Sequence, residues 1–130
     1  MIATDKYIQS KNKLEGRFIE LDVTDKTLFS QIVEENKVTN IIHLVTVLTC
    51  FYNFKIAICE SNTDLAYHTN IIGSTNALEI ARKHKASIFI PSTLATFGPT
   101  LGTNLSKKPI GEDEVQDPIT YYGITKVISN

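Results

Sequence analysis

Tyr122 and Lys126 stand four residues apart in YYGITKVISN, a spacing that puts both side chains on one face of a helix. A phenol titrates near pH ~10, so at neutral pH it is a poor base. An ammonium held beside it favours the phenolate and brings it towards the working range. Such a phenolate can take the proton of an alcohol while hydride leaves the same carbon for a nicotinamide. The spacing alone is a weak signal, and the chain carries a decoy, Tyr7 and Lys11 in YIQSK. That segment has no helical apolar pattern and no partner motif, so the C-terminal pair is the candidate.

The stretch FIPSTLATFGP strengthens it. Ser92 and Thr93 sit at the carboxyl end of an apolar run, SIFIPS, that reads as a buried strand. Open α/β sheets bind ligands at that end of their strands. A hydroxyl there could hydrogen-bond a substrate oxygen and orient the tyrosine. The plainer reading of Ser92 and Thr93, strand-end capping, has even odds on its own.

The elements that must position these groups alternate along the chain. IATD (Ile2 to Asp5) reads as the end of a strand, YIQSKNKLEG as a polar loop, and RFIELDVTD as a short strand running out at Asp22. Thr24 or Asp25 can cap a helix there, because their oxygens accept from unpaired N–H groups two or three residues on. Leu28, Phe29, Ile32 and Val33 form its apolar stripe, with Asn36 a plausible stop. TNIIHLV is apolar on both faces, the pattern of a central parallel strand. A long helix fits Asn62 to His84, with Gly73, Ala77, Ile80 and Ala81 on one face. SIFIPS is the next strand, the Gly/Pro-rich stretch from Thr96 to Pro118 a loop, and ITYYGITKVISN the start of a helix. This order predicts an α/β domain with a parallel sheet and right-handed crossovers.

Bulk properties exclude several classes. The chain has 130 residues, 42% of them hydrophobic, with a formal net charge of −1 and no run of Lys or Arg. It is large enough for one cored domain and offers no electrostatic grip on nucleic acid or anionic lipid. The longest apolar run, IIHLVTVL, is far short of the roughly 20 residues a membrane helix needs. Cys50 and Cys59 match no zinc or redox spacing and read as free thiols. His43, in a buried strand, reads as a packed side chain rather than a metal ligand. Glu112, Asp113 and Glu114 read as a solvated acidic run, and no metal site is expected.

PSTLATFGPT followed by DPITYYGITK resembles the active-site stretch of the extended short-chain dehydrogenases/reductases, the NAD-dependent epimerases and dehydratases. More narrowly, Phe97-Gly98-Pro99-Thr100 after the strand resembles the short-chain type of L-threonine 3-dehydrogenase. The resemblance covers nearly the whole chain and implies a partial Rossmann-like, doubly wound parallel sheet. This would be a single incomplete NAD-binding domain over residues 1–130, lacking the first βα unit and the C-terminal substrate region. It implies a catalytic set of Thr93, Tyr122 and Lys126, with Ser92 a neighbour that binds substrate. IATD resembles the end of the second strand, which gives Asp5 the adenosine ribose and favours NAD over NADP. ELDVTD places Asp22 and Val23 beside adenine. IIHLVTVLT, with His43, Leu44 and Val45, resembles the strand and turn under the cofactor. NIIGSTNALEIAR resembles the long helix, where Asn70 matches a recurrent asparagine and joins Tyr122 and Lys126 among the cofactor-contacting positions.

The implied activity is oxidation of L-threonine to 2-amino-3-oxobutyrate with NAD, in bacterial cytoplasm or the mitochondrial matrix, by a homodimer. The runner-up within the class is a nucleotide-sugar epimerase or dehydratase, and the reading from another class is a non-catalytic remnant. Three departures bear on the choice. The chain contains no GxxGxxG-type turn for the pyrophosphate, Val45 and Thr46 replace two small residues, and the apolar CFYNFKIA lengthens the loop after the strand.

Overall fold

The computed structural model describes residues 1–6, 17–48, 58–101, 111 and 113–129. The decoy pair, Cys50 and CFYNFKIA, Glu112 and the polar loop from 7 to 16 lie outside them. The chain is α/β, with strands β1 (Ile2–Asp5), β2 (Arg17–Glu20), β3 (Asn40–Ile42) and β4 (Ser87–Phe89). β1 pairs with β2 and β3 with β4, both in parallel. The parallel strands thus form two two-stranded sheets, β1-β2 and β3-β4. A doubly wound sheet sets its first strand between the second and the fourth. In that order the second and third strands pair, as do the fourth and fifth, an arrangement that two parallel pairs match.

Helix α1 (Lys26–Glu35) forms where the sequence predicts it. Asp25 is its N-cap, accepting from the Leu28 N–H at 2.9 Å, and Asn36 is its C-cap. Its stripe delivers Phe29, Ile32 and Val33 to the core. Opposite it runs α4 (Gly73–His84), which contributes Ala77 and Ile80; Leu21 and Val23 fill the space between, with Ile41 and Ile88 packed from β3 and β4. Burying each such aliphatic side chain contributes about 1.5–3 kcal/mol. Gly73 is required at the closest point, since a Cβ there would lie 2.6 Å from Val23 Cγ2.

β3 and β4 are covered on one face only. Ile41 and Ile88 point into the core, whereas Ile42 and Phe89 are 70% and 58% exposed. The apolar-on-both-faces pattern of TNIIHLV therefore has a helical partner on one side among the described residues.

Between β3 and α4 the chain makes two single-turn helices, α2 (Ile58–Ser61) and α3 (Thr63–Ala66), and then a π-helical stretch, Tyr67–Ile72. The expected helix from Asn62 to His84 is present with both ends in place. Asn62 caps α3 by accepting from the Leu65 N–H at 3.0 Å, but a π turn interrupts the middle. The expected loop from Thr96 is a correction: Leu94–Leu101 is 3-10 helical, kinked at Gly98, whose φ of 64° favours glycine. Helix α5 (Tyr121–Ile128) closes the described structure, with Thr120 as N-cap.

Candidate functional site

Ser92 and Thr93 lie three and four residues past Phe89, beyond the carboxyl end of β4. Thr93 begins the 3-10 segment: its Oγ1 accepts from the Ala95 N–H at 3.3 Å and its carbonyl accepts from Thr96 Oγ1 at 2.8 Å. The capping role is thus real, and it leaves the Thr93 hydroxyl proton for another acceptor. Ser92 is exposed.

α5 packs against this segment through Gly123. A Cβ there would lie 2.5 Å from the Ala95 carbonyl oxygen and 2.9 Å from Pro118 Cβ. Absence of a side chain at this position is what lets the helix carrying Tyr122 and Lys126 approach the strand end. Lys126 is 94% buried, 6% remaining exposed, and its Nζ donates to the Pro91 carbonyl at 3.1 Å. Burial pushes its pKa below the usual lysine value. Tyr122 is partly buried one turn earlier on the same face. The lysine bond ties α5, which carries Tyr122, to Pro91, the residue before Ser92 and Thr93. The phenol and the Thr93 hydroxyl are not hydrogen-bonded to one another.

A second layer holds these groups. Asn70 lies in the π-helical stretch, 2% exposed. Its Oδ1 accepts from the Val47 N–H at 2.6 Å, and its Nδ2 donates to the Val47 carbonyl and to Thr125 Oγ1, each at 3.1 Å. Thr125 Oγ1 donates in turn to the Tyr122 carbonyl at 2.8 Å. The asparagine amide thus binds the turn after β3 to the middle of α5. That bridge accounts for the π turn, which brings residue 70 inward at the cost of regular helix geometry, as π turns at functional sites often do. The cofactor contact expected of Asn70 is confined to what its protein partners leave free.

His43 is buried at the end of β3, its N–H donating to the Phe89 carbonyl at 2.9 Å and its Nε2 lying 3.3 Å from Ser74 Oγ. Burial, and then the Lys126 charge, lower its pKa to about 4, so the ring is neutral at physiological pH. Among the three residues expected under a cofactor, Val45 also packs on the core, while Leu44 is 64% exposed. Thr46 Oγ1 is buried with no hydrogen-bond partner among the described residues. An orphaned hydroxyl at a strand's carboxyl end fits a site that receives a polar group.

Asp5 ends β1, exposed, with its carbonyl accepting from the Leu21 N–H at 2.9 Å. Asp22 follows β2. Its carboxylate pairs with Lys6 at 2.7 Å and accepts from the Thr24 N–H and Oγ1, contacts that hold its pKa down at about 2. Val23 is core, and its carbonyl accepts from Asn76 Nδ2 at 3.0 Å. The expectation at Val23 is thereby limited to main-chain atoms. Sequence reasoning missed Asn76, Thr125 and Glu60, because each acts through partners more than fifty residues away or through its neighbour's backbone.

A groove of about 790 Å³ lies between α1 and α4, lined by Lys26, Ser30, Glu34, Glu79 and Arg82 among others. It holds none of the candidate residues. Among the described residues no group of three metal-ligating side chains converges, and no helix is long and apolar enough to cross a membrane.

Comparison with known proteins follows the same lines. The model of the NAD dependent epimerase/dehydratase family matches residues 1–130. The chain is 37% identical to the mitochondrial L-threonine 3-dehydrogenase of Sus scrofa over 114 residues, 88% of this chain and 28% of that protein. L-threonine dehydrogenase from Clostridium difficile superposes with a TM-score of 0.82 at 35% identity, over 98% of this chain and 37% of that one. UDP-glucose 4-epimerase from Brucella ovis, solved in complex with NAD, superposes with a TM-score of 0.71 at 27% identity, over 88% of this chain and 32% of the epimerase. The chain thus spans about a third of the length of these proteins.

Proposed function

The chain belongs to the NAD-dependent epimerase/dehydratase family, and on that premise we propose that it carries the catalytic half-site of an NAD-dependent L-threonine 3-dehydrogenase. The observation that carries this reading is the Lys126 Nζ bond to the Pro91 carbonyl, which ties the helix bearing Tyr122 and Lys126 to the residue before Ser92 and Thr93. The threonine substrate is supported by likeness to the pig and clostridial proteins, and the Brucella epimerase supports NAD.

In this reading Tyr122 takes the proton of the substrate hydroxyl, Lys126 one turn along the same face holds the nicotinamide ribose, and the Thr93 hydroxyl donates to the substrate oxygen. Ser92, exposed beside Thr93, contacts the rest of the substrate. The residues that would hold NAD are Asp5 and Asp22 at the adenosine end, Leu44 with the main chain of His43 and Val45 beneath it, and Tyr122 with Lys126 at the nicotinamide ribose. Bound NAD supplies the hydride acceptor. The buried Thr46 hydroxyl, without a partner among the described residues, suits a cofactor oxygen. The mitochondrial matrix or the bacterial cytoplasm is the compartment this reading implies.

The test is NADH formation on adding L-threonine to the chain with NAD, with product identification. Threonine-dependent NADH that disappears in Tyr122→Phe supports the proposal. Interconversion of UDP-sugars without threonine oxidation would replace it with the epimerase reading. Neither reaction, with no NAD binding, would leave a non-catalytic chain.

A further inference from the structure

Every helix start leaves four main-chain N–H groups without a partner inside the helix. In α5 three of them, those of Tyr121, Tyr122 and Gly123, have side-chain acceptors. Thr120 Oγ1 accepts from the Gly123 N–H at 3.0 Å, while its carbonyl begins the helix's own bonds by accepting from the Ile124 N–H. The other two are taken from a distant part of the chain. Glu60 Oε2 accepts from the Tyr121 N–H at 3.1 Å, and Glu60 Oε1 accepts from the Tyr122 N–H at 3.3 Å. One carboxylate therefore spans two successive amides, and the second belongs to the candidate base itself.

Bonds to an ionised acceptor are roughly twice as strong as neutral ones. A negative charge also suits the positive end of the helix dipole. The carboxylate comes from a fixed point. Glu60 lies on α2, whose Cys59 is wholly buried, and two residues later Asn62 caps α3. The remaining anchors of α5 act further along it: Gly123 against Ala95, Thr125 on Asn70, and Lys126 on Pro91. Those contacts and the Thr120 cap hold the rest of the helix, whereas the amides of Tyr121 and Tyr122 themselves are held by Glu60.

We propose that Glu60 is a positioning residue for Tyr122, its carboxylate fixing the first turn of α5 and through it the place of the phenol beside Lys126 and Thr93. The catalytic consequence rests on the dehydrogenase reading; the geometric claim does not.

The experiment compares the full chain with Glu60→Ala and Glu60→Gln by amide hydrogen exchange, by the NMR shifts of the Tyr122 ring, and by kcat and KM. In Glu60→Ala, exchange at Tyr121 and Tyr122 is expected to rise about tenfold or more, as for a frayed turn, with Thr125 to Ile128 nearly unchanged. The Tyr122 ring signals shift, and kcat falls roughly 10- to 100-fold with KM for NAD within about twofold, the signature of a displaced reacting group. Glu60→Gln keeps one acceptor oxygen and restores most of the ring shift and kcat. Unmoved ring signals would overturn the proposal, as would exchange that rises equally along all of α5, or a Glu60→Ala enzyme with wild-type kcat. If the unaltered chain turns over no substrate, the dehydrogenase reading fails, and the exchange and ring shifts still decide the place of Glu60.

Discussion

The Lys126 ammonium donates to the carbonyl of Pro91 across 3.1 Å, so the helix bearing the candidate base is tied to the strand end bearing the candidate hydroxyls. This one bond sets the distance between two parts of the site that lie thirty-five residues apart in sequence. It also satisfies a buried charge that would otherwise be costly. Substituting Lys126 by Met removes both the charge and the tie. Turnover of threonine is expected to fall by about 10²–10⁴, the range for loss of positioned acid–base chemistry. Lys126→Arg is not conservative here, because a planar guanidinium is larger and the space is buried. Steady-state kinetics of the two variants, with circular dichroism to confirm folding, checks this. Retained turnover in Lys126→Met would remove Lys126 from the mechanism.

Two glycines are expected to behave differently from a third. At Gly123 a Cβ would meet the Ala95 carbonyl oxygen at 2.5 Å, and at Gly98 the Asp117 carbonyl oxygen at 1.8 Å with φ at 64°. Both obstacles are backbone, so α5 or the 3-10 segment must move. Gly123→Ala and Gly98→Ala are each expected to destabilise by about 1–3 kcal/mol or more, read as a lowered denaturation midpoint. Gly111→Ala meets nothing within 4 Å and is expected to be neutral. Equal midpoints for all three would contradict the close approach that forms the site.

What the sequence made legible was what is local. The stripe Phe29, Ile32, Val33 and the cap Asp25 announce α1, since both signals lie within one helix. Tyr122 and Lys126 could be set on one helix because i,i+4 spacing is itself the geometry, and Thr93 past a strand end because strand ends follow from the apolar run before them. The π turn at Tyr67–Ile72 left no such trace. Its cause is Asn70 reaching Val47 and Thr125, 23 and 55 residues away. Glu60 is an exposed acid without a motif, and its role appears only when Tyr121 and Tyr122 are folded beside it. The burial of Val23, His43 and Val45 could not be told from cofactor contact, because strands beneath a cofactor are apolar for either reason.

Asn70→Leu removes the bridge between the turn after β3 and α5. It leaves the Val47 N–H and carbonyl without their side-chain partner in a partly buried place. The penalty for stranding such groups is about 1–3 kcal/mol each. The expected result is a destabilisation of a few kcal/mol, with amide exchange rising first at Val47 and along α5. Asn70→Asp keeps the acceptor for Val47 but loses both donated bonds, and is expected to fall between. A fully stable Asn70→Leu would show that the bridge contributes nothing.

Stability is expected to depend on pH through His43. Its folded pKa is about 4, below the ordinary 6.5, because burial and then the Lys126 charge oppose the imidazolium. Between those values the unfolded chain binds a proton that the folded chain refuses, so stability rises with pH across that window. The contribution is complete above pH ~6.5 and is lost as pH falls towards ~4, a swing of about 3 kcal/mol at 1.36 kcal/mol per unit. Asp22, held at about 2 by Lys6 and Thr24 against an ordinary 3.8, loses its contribution as pH falls from about 3.8 towards 2. The two effects therefore separate along the pH axis. Urea denaturation of the chain and of His43→Gln from pH 7 to ~4 measures the first. The variant should lose most of the slope in this window, since glutamine offers Ser74 a neutral partner and takes up no proton. An unchanged slope would mean that His43 ionises in the folded state, and that the Lys126 ammonium tolerates a second positive charge beside it.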